Sequence, residues 1–117
     1  MDAEHKNFRL KVGAHKLMVR HISSAHMDDM YKALSDGDDD NECLGACCFR
    51  VDGHEIMIDR SLSGSRYVAT VIHEVVELLN NLYDLGLEHS QISTMGEALT
   101  QLFGDNRKPL LNLIEEI

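Results

Sequence analysis

Apolar and polar positions follow two different periods along this chain. Phe8, Leu10 and Val12 alternate with Arg9 and Lys11 until Gly13 interrupts, and Leu17, Val19 and Ile22 follow. A period of two predicts one or two half-buried strands, with a hairpin turning near Gly13-Ala14. Ser23 or Ser24 can cap a short helix through Met27, Met30, Tyr31 and Leu34, and the run SDGDDDNE from Ser35 to Glu42 then breaks it. Leu44 to Val51 and His54 to Asp59 are short apolar runs separated by Asp52-Gly53, a strong turn signal, and predict an antiparallel hairpin. Alternation within the second run puts His54, Ile56 and Ile58 on one face and Glu55, Met57 and Asp59 on the other.

The longest periodic segment opens at Ser63-Gly64-Ser65 and closes near Gly86. Val68, Val71, Ile72, Val75, Leu78, Leu79 and Leu82 recur at three- and four-residue intervals, the signature of an amphipathic helix. At about 100° per residue, Arg66, Thr70, His73, Glu77, Asn80, Asn81 and Asp84 gather on the opposite face, with Glu74 at its edge. A second helix is expected from about Gln91 to Phe103, with Ile92, Met95, Leu99 and Leu102 as its stripe. A last helix follows Pro109, with Leu110, Leu113, Ile114 and Ile117 in line. These elements predict an α+β fold: a short antiparallel sheet packed on a central site helix, with two further C-terminal helices completing the core.

The whole chain, residues 1–117, fits one domain, since 117 residues support one core but not two. Eleven basic and 20 acidic residues give a formal charge of −9, which disfavours direct nucleic-acid binding. Such a charge fits basic partners, cations or nucleic-acid mimicry, but plain solubility is the first expectation. No apolar run reaches the roughly 20 residues of a membrane span, and the first residues lack a signal-peptide pattern, so a soluble cytoplasmic protein is expected. Cys43, Cys47 and Cys48 are odd in number and lack paired C-x2-C hooks, which suits reduced thiols on or beside a strand in a cytosol. Apolar stripes and six methionines allow a homodimer without indicating one.

Candidate chemistry lies on the long helix, where His73-Glu74-Val75-Val76-Glu77 reads H-E-x-x-E. Side chains at i and i+4 project side by side and can hold one metal, and the Glu after the first ligand can activate a water. Glu97 and His89, downstream across a short turn, are the candidates for a further ligand. Each has a plain alternative. Polar residues at i and i+4 occur on any solvated helix face, Thr94-Met95-Gly96-Glu97 matches a capping box, and His89 suits a loop. His5, His15, His21 and His26 lack metal-binding partners in the sequence and are expected at the surface, and the side chains of His54 and Glu55 face opposite ways on a strand. Phosphate-binding, dinucleotide-binding and nucleophile-elbow motifs are absent from the sequence.

From Leu44 to Asn106, the pieces ECLGACCFRVDGHEIMIDRSL and TVIHEVVELLNNLYDLGLEHSQISTMGEALTQLFGDN resemble small zincin-like metallopeptidase proteins of phages and prophages. The resemblance implies a metal-dependent peptidase in the cytoplasm of a host cell. Its ligands would be His73, Glu77 and Glu97 with His89 as the alternative third, and Glu74 would be the general base. It also implies that Ile56, Ile58 and Asp59 border the cleft. The chain departs from the zincin helix at Glu77, which stands where that pattern has His. A His-Glu-Glu set is harder than His-His-Glu, so zinc is expected first, with manganese or iron also suited, and the ion would be a weaker Lewis acid. The rival expectation is a non-catalytic acidic phage-type protein that binds and inhibits, or regulates, a host protein.

Overall fold

A computed structural model describes residues 5–34, 45–48 and 53–117. Among them run β1 (Phe8–Val12), β2 (His15–Ile22), α1 (Ser24–Leu34), β3 (Gly45–Cys48), β4 (His54–Asp59), α2 (Gly64–Tyr83), α3 (His89–Asp105) and α4 (Arg107–Glu115). The acidic run Ser35–Glu42, Cys43 and the expected turn residue Asp52 lie outside the described residues, while Cys47 and Cys48 fall in β3.

The strands form one four-stranded sheet in the order β1-β2-β4-β3. Val12 pairs with His15, so β1 and β2 join through the two residues Gly13-Ala14, and Gly13 adopts φ 57°, a value suited to glycine at the first central position of a hairpin turn. β3 and β4 are antiparallel as expected, with Gly45 opposite Ile58 and Cys48 opposite Glu55. β2 and β4, however, run parallel, Val19 opposite Ile56. The α+β class holds, but the sheet is mixed. Parallel neighbours need a crossover rather than a tight turn, and α1 lies between them in the chain.

The core forms where α2 lies on the sheet. Val19, Ile56, Ile58 and Leu62 are buried together, and Phe8, Tyr67, Val71 and Val75 pack against them. Ile56 and Ile58 are thus core residues rather than the border of a cleft. Asp59 is buried too, but its Oδ1 accepts hydrogen bonds from the Ser24 hydroxyl and from the Ser61 backbone and hydroxyl, all at 2.8–2.9 Å. Burial alone would raise its pKa. The hydrogen bonds from Ser61 and Ser24 and the charge of Arg66 outweigh burial and hold the carboxyl below its ordinary range. Asp59 therefore ties the end of β4 to the first residue of α1.

His21 corrects the surface expectation. It continues the buried face begun by Leu17 and Val19 and is only 6% exposed. Its Nδ1–H donates to Asn7 Oδ1 at 3.1 Å, and its Nε2 accepts from the Tyr67 hydroxyl at 2.8 Å. His5 stacks on Tyr67 with centroids 3.6 Å apart and lies 3.1 Å from the Leu62 carbonyl, so it too is engaged. Burial, then the neighbouring His5 and Arg60, lowers the His21 pKa, and burial raises that of Tyr67.

α4 also departs from expectation: none of its residues is buried. The core is completed by α1, through Met27, and by α3, through Ile92, instead.

Two measurements check this arrangement. Leu78, on α2, is fully buried, so Leu78→Ala should cost about 2 to 5 kcal/mol in a denaturant titration through lost burial and a cavity. Exposed Asn81→Ala should stay within about 0.5 kcal/mol. For His21, the depressed folded pKa means that the unfolded chain binds the proton more readily. Its contribution to stability is fully present above the ordinary value of 6.5 and declines as pH falls below it toward the folded pKa. Stability measured from pH about 7 down to about 5 should fall less steeply in His21→Asn than in the parent chain. Equal slopes would mean that the imidazole titrates alike in both states.

Candidate metal centre

α2 meets two surfaces at once, so that His73, Glu77 and Asn80 on its polar face are half-buried while Arg66, Asn81 and Asp84 stay exposed. One side lies on β3 and β4, and α3 packs along the other. α3 comes close because residue 96 is glycine. A Cβ there would stand 3.1 Å from the Ala69 carbonyl oxygen and 3.5 Å from His73 Cβ. The connection between the helices is clasped by Asn80, whose amide donates to the Leu87 carbonyl at 3.1 Å while its Oδ1 accepts from the Leu87 N–H at 2.9 Å. α2 ends at Asp84, left-handed at φ 51°, with Gly86 at φ 72° two residues on.

This clasp fixes the antiparallel register of the two helices. Gly96 lies beside Ala69 and His73, Ser93 reaches His73, and His89 reaches Glu77. His73 Nε2 is 3.5 Å from Glu77 Oε1, and His89 Nδ1 is 3.2 Å from the same oxygen. The two imidazoles meet edge to face with centroids 5.0 Å apart. One donor atom from each of His73, Glu77 and His89 lies within 4.8 Å of the others, so the group could hold a metal ion. Ser93 Oγ stands 3.5 Å from His73 Nδ1, on the ring edge away from Glu77.

The electrostatics favour a neutral ligand at His73. Burial lowers its pKa, Glu77 opposes the shift, and His89 adds to it. A neutral imidazole keeps the lone pair that coordination needs. His73 and Glu77 are partly covered, with side chains 20% and 32% exposed, whereas His89 is 76% exposed. The centre therefore opens to solvent on the His89 side.

Three of the sequence-predicted residues, His73, Glu77 and His89, come together, and Glu97 does not join them. It is exposed on α3, eight residues or about 12 Å along the helix from His89. Nor does it cap: Thr94 and Glu97 lie inside α3, and the capping box is formed by Glu88 and Gln91. Glu74 is 7% exposed and turned to the other side of α2. A Cβ on Gly45 of β3 would come within 2.8 Å of Glu74 Cγ and 3.2 Å of Cδ. Asp59 is engaged with Ser24 and Ser61. Ser93 and Asn80 were not singled out as site residues. Their positions on the facing sides of the helical hairpin become visible only once His89 is aligned with Glu77.

The group that comes together is accordingly His-Glu-His, softer than the His-Glu-Glu set expected. Since the register depends on close contact at Gly96, Gly96→Val should destabilise the fold by about 1 to 3 kcal/mol in thermal or denaturant unfolding. Unchanged stability would mean that α3 can move away from α2 without loss. Compared with protein-family models, curated proteins and solved structures, the chain matches none.

Proposed function

We propose that this chain is a metalloprotein that holds one divalent ion, zinc in the first instance, through His73, Glu77 and His89. The observation that carries this reading is the convergence of their donor atoms within 4.8 Å from two helices. Two imidazoles and one carboxylate match the composition of three-ligand zinc sites, and manganese or iron(II) would also accept them. A bound ion of this type acts as a Lewis acid and lowers the pKa of water. The open side at His89 gives a substrate access.

Hydrolysis of peptides in the manner of the zincins is the finer reading. His73-Glu74 supplies the ligand-then-base order on one helix, and α2 packs on β3, the outermost of the described strands. In this reading Glu74 would accept a proton from the attacking water, which requires its side chain to leave its place against Gly45. The burial of Glu74 against Gly45 favours a second reading, in which the centre is structural and the chain binds or regulates a host protein without catalysis.

Zinc titration of the full chain, followed by calorimetry, tests the metal centre. One ion per chain is expected, with His73→Ala, Glu77→Ala and His89→Ala each weakening binding at least about tenfold, or about 1.4 kcal/mol. Glu97→Ala should bind as the parent does. The bound ion should raise the melting temperature in proportion to occupancy. Parent-like binding in all three ligand variants would overturn the site. Glu74→Gln then separates the two readings: retained zinc with lost cleavage of an unfolded protein substrate supports the peptidase, and a zinc-loaded parent that cleaves nothing supports the binder.

A further inference from the structure

α4 is built unlike a helix that stands alone in water. Leu111, Leu113, Ile114 and Ile117 are between 58% and 105% exposed. With Leu110 and with Phe103 of α3 they wall an open groove of about 500 Å³. A contiguous apolar surface with charges along its rim is characteristic of contact with another macromolecule.

The charges of α4 indicate which one. Arg107 and Lys108 occupy its first turn and Glu115 and Glu116 its end, with no acidic residue in the first turn and no basic residue in the last. That order opposes the helix dipole, which favours acidic side chains at the N-terminus and basic ones at the C-terminus. A lone helix gains nothing from it. An antiparallel copy of the same helix reverses the situation, because each basic end then meets an acidic one. At about 100° per residue, Arg107 falls between Ile114 and Leu111, and Lys108 and Glu115 lie beyond Leu111 on one flank of the stripe. In an antiparallel pair centred on Leu111, the midpoint of Arg107 and Glu115, each basic first turn lies at the level of the partner's acidic end.

We propose that α4 is the centre of a two-fold homodimer interface, in which the helix of one protomer lies antiparallel in the groove between α3 and α4 of its partner. The occupant is a second copy because the surface is self-complementary in both respects. Its apolar stripe can cover its own image, and its charge order is matched by its own reversal. The interface is separate from His73, Glu77 and His89 and does not depend on a metal there.

Sedimentation equilibrium of the full chain in the presence of EDTA tests this. A reversible dimer is expected at micromolar concentration. The paired substitutions Arg107→Glu with Lys108→Glu, and Glu115→Lys with Glu116→Lys, should each weaken it at least tenfold, since like charges then face each other. Mixing the two variants should restore association as a heterodimer, because an all-acidic α4 then meets an all-basic one. Leu113→Glu, which alters only the apolar stripe, should also give monomer. Far-UV circular dichroism should be unchanged in all of them, because α4 contributes nothing to the buried core. A parent chain that stays monomeric at high micromolar concentration overturns the proposal, whether or not it binds phosphatidylcholine vesicles through the same stripe. So does a dimer that none of these substitutions weakens, or charge variants that fail to associate when mixed.

Discussion

Close contact between α3 and α2 at Gly96 is the constraint from which the candidate centre follows. A side chain at that position would stand 3.1 Å from the Ala69 carbonyl, so the helices approach at backbone distance only because none is there. Asn80 closes the adjoining loop by bonding both the N–H and the carbonyl of Leu87. Together the two contacts leave one alignment of the helical hairpin, and in that alignment His89 stands level with Glu77. A slip of one helical turn would carry His89 about 5 Å from its present neighbour. The convergence of His73, Glu77 and His89 is therefore a consequence of helix packing as much as of the residues themselves.

The same helix shows how a polar side chain is tolerated inside a small domain. α2 is covered by the sheet on one side and by α3 on the other, so His73 and Glu77 on its polar face lose part of their water. They are compensated by each other and by His89. At the sheet, both ring nitrogens of His21 and Oδ1 of Asp59 are engaged in hydrogen bonds, and no described buried side-chain nitrogen or oxygen lacks a partner. The sign of each pKa shift reflects which compensation is available. His21 and His73 are driven toward neutrality by burial. Asp59 stays charged because three donors converge on one oxygen.

Apolar surface is distributed unevenly. α2 and the sheet bury theirs, while α4 presents an apolar stripe to solvent at the far end of α3. A stripe at helical spacing shows that a helix has a face to cover and does not show what covers it. For α4 the dimer proposed above rests on the order of its charges and not on the spacing of Leu110, Leu113, Ile114 and Ile117.

By itself the sequence determined the local elements. Period-two alternation identified β1, β2 and β4, the helical spacing from Val68 to Leu82 identified α2, and Gly13 and the Asp84–Gly86 region marked chain reversals, because these signals depend on neighbours in the chain. It also nominated His73, Glu77 and His89, through i,i+4 spacing and nearness across a loop. Only the tertiary structure placed His89, and not Glu97, beside His73 and Glu77, since the register of two packed helices depends on a glycine and an asparagine whose partners lie elsewhere in the chain. It alone turned Glu74 toward β3, buried His21 under Tyr67, and made β2 and β4 parallel. Each of these depends on which surfaces meet, and a one-dimensional pattern of apolar and polar residues gives the faces of an element without giving their partners.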